Sequence, residues 1–228
     1  MRLSELIIGY EPRLGGPASD QLPGAFDIDD ALYARMDACM NSSNADGNER
    51  GAAITVRQDG QGLSIRLDNE AIGTTHGTVE IRPVPDAENV WHRGSFHTHP
   101  YSVANRAIAE DLIGSCLPHS AEDVSQFLRS RRELIAIVVC KAMQTHPLEV
   151  HVLIKTQGQK DAGAFNETVF NETISRFAHA GHQDQLSRGF SDMPAAASHF
   201  HCEVLAQTAK FMGFAYYSGH GTVNRQHR

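Results

Sequence analysis

Apolar positions recur with a helical period near the start of the chain. Residues 27–43 carry Leu32, Met36 and Met40 at four-residue spacing behind several acidic residues. This spacing places the three side chains on one face, and acidic residues favour a helix N-terminus. The pattern therefore predicts an amphipathic helix that covers one side of a sheet.

A strand pattern follows this helix. Residues 51–68 form two β-patterned runs joined at Asp59-Gly60, a dipeptide suited to the positive φ of a hairpin turn. Residues 78–84 and 93–99 read as a third and a fourth strand after Gly- and Pro-containing loops. We therefore expect four strands before residue 100.

Helices and strands alternate again in the middle of the chain. Residues 105–113 predict a short helix and residues 120–132 a clearer one. The apolar, β-branched run at 133–142 is typical of a strand buried on both faces, and 148–156 predicts its partner. The predicted fold class is therefore mixed α/β, a mixed β-sheet flanked by helices.

The C-terminal part carries two further helical patterns, at residues 165–180 and 194–212. There is no repeat, low-complexity tract or long linker before them. We therefore expect a main domain at 1–156 and a C-terminal helical extension at 157–228 that packs on the same domain.

Composition narrows the classes of function. A formal charge of −7 disfavours nucleic acid, because the phosphate backbone requires a positive footprint. No apolar run reaches the roughly 20 residues of a membrane span, and the N-terminus lacks a secretion signal, so the expectation is a cytoplasmic protein. The four cysteines form no CxxC pair and are interpreted as reduced thiols: Cys39, Cys116, Cys140 and Cys202.

A candidate metal site lies at the end of the fourth predicted strand. Because residues i and i+2 of a strand share a face, His97 and His99 can direct both imidazoles at one point, and Pro100 tends to end the strand there. A catalytic zinc usually takes three protein ligands, and Asp123 is the candidate for the third. Ser120 and Asp123 also have the spacing of a helix capping box, which is a purely structural role.

Two other motifs have simpler explanations. His199 and His201 form a second His-x-His, but in a helix such residues diverge by about 200°, so we interpret them as a surface and a core histidine. Cys116 and His119 have a spacing that could mark a thiol nucleophile or a ligand pair, and we interpret it as accidental.

The combination of motifs resembles the JAMM metalloproteases, also called the MPN-plus or JAB family. Their pattern is an upstream Glu, then His-x-His-Pro, then Ser-x-x-Asp; here 97–100 read HTHP and 120–123 read SAED. Glu49 is the preferred upstream residue, since small residues and an apolar strand follow it, and Glu80 is the rival. The resemblance covers roughly 1–156 and implies a cytidine-deaminase-like JAB/MPN fold.

One departure from the family pattern is the spacing. Twenty residues, 100–119, separate the second histidine from the serine, whereas the family has a shorter connection. Loop closure entropy rises slowly with length, so an outward bulge can still return Asp123 to the metal. If it does not, Glu110 or Asp111 is the next candidate ligand.

The resemblance implies a role for each residue. His97, His99 and Asp123 would bind Zn²⁺, Glu49 would act as the general base, and Ser120 would hydrogen-bond the oxyanion. The reaction would be hydrolysis of a peptide or isopeptide bond.

The resemblance also implies the substrate, a ubiquitin-like protein or its conjugates, with the C-terminal tail bound in extended form. Bacterial relatives are encoded with ubiquitin-like conjugation systems, some of them in antiphage defence. Two alternatives remain open: a catalytically silent scaffold that binds protein partners, and a zinc hydrolase of small amides or ordinary peptides. The sequence leaves the oligomeric state and the identity of the ubiquitin-like protein undetermined.

Overall fold

A computed structural model describes residues 1–10, 16–60, 62–73, 79–100, 118–141, 147–176 and 193–227. These residues contain an eight-stranded sheet. The strands are β1 (Ala25–Asp27), β2 (Arg50–Asp59), β3 (Gly62–Ile72), β4 (Val90–His99), β5 (Ile135–Cys140), β6 (Glu149–Ile154), β7 (Ala215–Gly219) and β8 (Thr222–Arg225).

The strands lie in the order β1-β8-β7-β6-β5-β4-β2-β3. β4 and β5 run parallel, and each of the other neighbouring pairs is antiparallel. A parallel pair needs a long crossover connection, and the chain between β4 and β5 supplies it. The predicted mixed α/β fold class is therefore confirmed.

Helices lie on both faces of the sheet. The described helices are α1 (Leu3–Ile8), α2 (Asp30–Asp46), α3 (Ala121–Arg129) and α4 (Met193–Met212), together with a helical segment at 167–176. α1 and α2 share one hydrophobic cluster with one face of the sheet, whereas α3, α4 and the 167–176 segment share a second cluster with the other face. We call the latter the α3 face.

The first predicted helix is confirmed as α2. Leu32, Met36 and Met40 are all buried in the first cluster, as their four-residue spacing requires. The helix ends at Gly47, whose φ of 76° is the left-handed conformation common after a helix C-terminus, and whose N–H donates to Ser43 O.

The predicted hairpin is also confirmed, whereas the predicted third strand is wrong. β2 pairs with β3 through a turn in which Gly60 has a φ of 61°. Residues 79–84 form no strand. Val79 and Ile81 instead place their side chains against Gly51 on one face of β2, whose two edges are paired with β3 and β4.

The buried central strand is found where its apolar run predicts it. Every residue of β5 is buried, and β5 pairs with β6 along its whole length. The helices predicted at 120–132, 165–180 and 194–212 are present in the described residues. The helix predicted at 105–113 lies outside the described residues.

The C-terminal part contributes strands as well as helices. β7 pairs with β6, and β8 pairs with β7 and β1, so residues beyond 157 complete the same sheet. The sequence pattern predicts helices alone for this part of the chain. Within the described residues, no helix is both long enough and apolar enough to cross a membrane.

Candidate metal centre

Two imidazoles converge at the end of β4. His97 and His99 project from the α3 face, and their Nε2 atoms lie 3.1 Å apart. Both side chains are largely buried, with exposed fractions of 13% and 12%, so each retains a small opening to solvent. The strand geometry expected for a His-x-His pair is therefore present.

A carboxylate from the start of α3 meets these imidazoles. Asp123 Oδ1 lies 3.3 Å from His97 Nε2, and Oδ2 lies 3.6 Å from His99 Nε2. Suitable donor atoms of the three residues all lie within 4.8 Å of one another. The structure thus brings together the three residues that the sequence predicts as ligands, despite the twenty residues between His99 and Ser120.

The position of Asp123 follows from the packing of α3. Val124, Phe127 and Leu128 are buried in the hydrophobic cluster of the α3 face, which fixes the helix over the sheet. Asp123 lies in the first turn, at the end of the helix nearest the histidines. Glu110 and Asp111, the alternative ligands, lie outside the described residues.

Asp123 and His97 shift each other's pKa. Burial by itself raises the pKa of Asp123, but His97 and His99 outweigh it and hold this pKa well below its usual range. Burial lowers the pKa of His97, whereas Asp123 and Glu49 raise it above its usual value. The carboxylate is therefore ionised, as a metal ligand must be.

Glu49 lies beside this group. It precedes β2 by one residue, and continuing the Gly51–His97 register outward places Glu49 opposite His99 on the same face. The side chain is buried, and this burial raises its pKa, while His99 and His97 oppose the shift. Its rival, Glu80, has a side chain that is 83% exposed and pairs with Arg82.

Ser120 is the N-cap of α3. Its Oγ accepts a hydrogen bond from Asp123 N at 3.2 Å, and its backbone N–H donates to Asp123 Oδ2 at 2.7 Å. The capping box considered from the sequence is therefore present. Since Oγ is the acceptor in this bond, the hydroxyl proton of Ser120 can still be donated to another oxygen.

The other histidine motifs serve different roles. His199 is half-exposed and His201 is buried, as a helical His-x-His requires. His119 is fully buried and its Nε2 donates to His151 O, while Cys116 lies outside the described residues. The described cysteines Cys39, Cys140 and Cys202 form no disulfide, which agrees with the expectation of reduced thiols.

One group of potential ligands was not identified from the sequence. Cys140, Glu149 and His151 also lie within 4.8 Å of one another through their donor atoms. The available signal was positional: Cys140 lies near the end of one predicted strand, and Glu149 and His151 alternate on its predicted partner.

No protein-family model, curated protein or solved structure matches this chain.

Proposed function

We propose that this chain is a zinc-dependent peptidase or isopeptidase that cleaves the bond after the C-terminus of a ubiquitin-like protein. The proposal rests on one observation: the donor atoms of His97, His99 and Asp123 lie close together, and Glu49 is buried beside them. The motif order and the mixed sheet support a JAB/MPN-type fold. A substrate of this class follows from the resemblance to that family.

The donor set fits zinc. Bonds of about 2.0–2.1 Å to nitrogen or oxygen in a tetrahedron place neighbouring donors about 3.3 Å apart. The 3.1 Å between the two Nε2 atoms and the 3.3 Å from His97 Nε2 to Asp123 Oδ1 lie close to that value, and the other carboxylate oxygen, Oδ2, lies 3.6 Å from His99 Nε2. Two imidazoles, one carboxylate and a remaining position for water are typical of a catalytic rather than a structural zinc site.

Glu49 is suited to the role of general base. When bound, zinc acts as a Lewis acid that lowers the pKa of water toward about 7. The Glu49 carboxylate accepts the proton from the attacking water and then delivers it to the leaving amine. Burial raises the pKa of Glu49, which makes it a better proton acceptor than an exposed glutamate.

Ser120 is suited to stabilise the oxyanion. Its Oγ is already oriented by the bond from Asp123 N, and its proton can point toward a carbonyl oxygen that becomes negatively charged. One such donor typically contributes about 3 kcal/mol to transition-state stabilisation. Asp123 and Ser120 therefore form a unit in which one residue binds the metal and the other contacts the substrate.

The sheet offers a place for an extended substrate tail. β3 is the terminal strand on its side of the sheet, and Ile72 near its end pairs with Arg50, the neighbour of Glu49. A peptide that adds to a terminal strand gains main-chain hydrogen bonds while its side chains select sequence. A tail bound along β3 would lead toward the proposed metal centre.

A substrate panel tests the proposal. Ubiquitin-like fusions and small amide substrates are incubated with the protein as purified, after chelation, and after zinc is restored. We expect cleavage of a fusion after its C-terminal residue, loss on chelation, and recovery with zinc. Cleavage of small amides alone would overturn the substrate class, and zinc binding without cleavage of either substrate would favour the scaffold.

A further inference from the structure

A second group of donor atoms lies on the same face of the sheet. Cys140 Sγ is 3.6 Å from His151 Nε2 and 3.6 Å from Glu149 Oε2, and the latter two atoms are also 3.6 Å apart. The three atoms therefore form a nearly equilateral triangle. Cys140 and His151 are buried, whereas the Glu149 side chain is 36% exposed and leaves a route from solvent.

The β5–β6 ladder produces this arrangement. Cys140 pairs directly with Glu149, and Val138 pairs with His151, so the three side chains project from adjacent positions on the α3 face. The register is specified because both strands bury their opposite face in the other hydrophobic cluster. The group is therefore held by regular strands rather than by loops.

Further contacts orient His151. Its Nδ1 lies 2.9 Å from Tyr216 Oη, and that hydroxyl donates to Cys202 Sγ at 3.2 Å. Histidines that bind metals typically engage their second ring nitrogen in such a bond, which fixes the tautomer and the orientation of the ring. Here the bond leaves Nε2 directed at Cys140 and Glu149.

We propose that Cys140, Glu149 and His151 bind a second divalent cation, zinc in the first instance. Tetrahedral zinc bound to one sulfur, one nitrogen and one oxygen requires donor separations of about 3.3–3.6 Å, and all three observed separations agree. A thiolate with an imidazole and a carboxylate suits zinc and cobalt and disfavours magnesium or calcium.

The second site is distinct from the proposed catalytic centre. The two groups share no residue, and the buried side chain of Val138 lies between His97 and His151 in the strand register. They are nevertheless neighbours, since His99 pairs with Cys140 across β4 and β5. A cation at the second site would tie the end of β5 to the start of β6, next to the strand that carries His99.

Cobalt distinguishes the two sites, because only the second contains sulfur. The full chain is freed of metal by chelation and titrated with Co²⁺ while the near-ultraviolet thiolate-to-cobalt charge-transfer band is recorded. We expect two cobalt ions per chain, one of which produces this band. Cys140→Ser should remove the band and one equivalent of cobalt, with circular dichroism confirming the fold.

Two more variants keep the test decisive if Cys140→Ser fails to fold. Glu149→Gln alters a partly exposed ligand and should weaken the band-forming site by about tenfold or more. Tyr216→Phe should weaken it by about 10–100-fold, the usual effect of losing such a supporting contact. Unchanged cobalt affinity in Glu149→Gln would overturn the three-residue site.

Cys39→Ser is the matched control. Cys39 is a buried thiol on the other side of the sheet, in the cluster with α2, so its loss should leave the band intact. A folded wild-type protein that binds cobalt without a thiolate band would refute the proposal. A band that persists in Cys140→Ser would do the same, because the thiolate would then come from another cysteine.

Discussion

Asp123 contacts His97 and Ser120 at the same time: its Oδ1 lies 3.3 Å from His97 Nε2, while its Oδ2 accepts the backbone N–H of Ser120 at 2.7 Å. The capping and metal-binding explanations of the Ser-x-x-Asp motif are therefore compatible. The cap fixes the rotamer of the carboxylate, and the fixed rotamer points one oxygen at the imidazole. The first turn of α3 thus supplies the third ligand of the proposed metal centre.

Asp123→Asn separates these two roles. The amide oxygen can still accept the Ser120 N–H, so the helix cap should persist, and the stability lost without metal is that of the ion pair between Asp123 and His97. The loss of the negative ligand should weaken zinc binding by about tenfold or more. Calorimetric titration of the metal-free protein measures the affinity. Glu122→Gln, on the same turn but exposed, should bind zinc like the wild type, and equal weakening there would contradict a specific ligand role.

Glu49→Gln should abolish most of the activity while zinc binding persists. The amide keeps the shape of the side chain but cannot accept the proton, and general-base catalysis typically contributes about 10²–10⁴-fold. Initial rates on a ubiquitin-like fusion give the loss, and elemental analysis gives the metal content. Glu80→Gln is the matched control, because Glu80 is exposed beside Arg82, and its rates should equal the wild type. An active Glu49→Gln protein would exclude Glu49 as the base.

Ser120→Ala and Ser120→Gly should differ in stability but agree in rate. Alanine at an N-cap costs about 1 kcal/mol of stability and glycine only a few tenths, so urea unfolding should distinguish the two variants. Both remove the hydroxyl, and each should lower kcat by about 10²–10³-fold. If the rate loss instead follows the stability loss, Ser120 acts only as a helix cap.

The two His-x-His motifs provide a comparison within one chain. Zinc at about 100 times its dissociation constant should stabilise the protein by about 2.7 kcal/mol through binding to the folded state. His97→Ala should lose the stabilisation that zinc provides at the proposed catalytic centre. His199→Ala, a change at a half-exposed helical position, should retain that stabilisation. Thermal unfolding with and without zinc measures the difference. In His97→Ala the thiolate-to-cobalt band should persist, since Cys140 remains.

The sequence alone predicts the features that local backbone geometry determines. Alternation along a strand places His97 and His99 on one face in any strand, and the Ser-x-x-Asp spacing starts a helix wherever apolar residues follow. Leu32 and Met36 were likewise identified as buried from spacing alone. These features depend on contacts between residues near each other in the chain.

The remaining features depend on contacts between distant residues. The distance from Asp123 to His97 is fixed by the packing of α3 and by the parallel pairing of β4 with β5, neither of which has a local signature. β7 and β8 are short strands joined by a tight turn, and Tyr217 is buried there through pairing with β6. Glu149 and His151 similarly come close to Cys140 only when β6 pairs with β5.

Gly94→Ala tests the β4–β5 contact on which the proposed catalytic centre depends. Gly94 pairs with Ile135, and a Cβ at Gly94 would lie 1.9 Å from Ile135 O and 2.8 Å from its carbonyl carbon. Backbone cannot rotate away as a side chain can, so the two strands must separate. We expect the free energy of unfolding to fall by about 1–3 kcal/mol or more, the usual cost of overpacking, measured by urea denaturation.

The same substitution should weaken the proposed catalytic centre, because His97 and His99 lie on β4, which would move away from β5. The second site should be affected less, since its three ligands lie on β5 and β6, so cobalt titration should show lower affinity at the first site while the thiolate band persists. Gly9→Ala is the control, since a Cβ there meets no atom within 4 Å and the φ of −77° suits alanine. A Gly94→Ala protein as stable as the wild type would mean that β4 and β5 do not approach this closely, and the ligand distances that rest on their pairing would have to be abandoned.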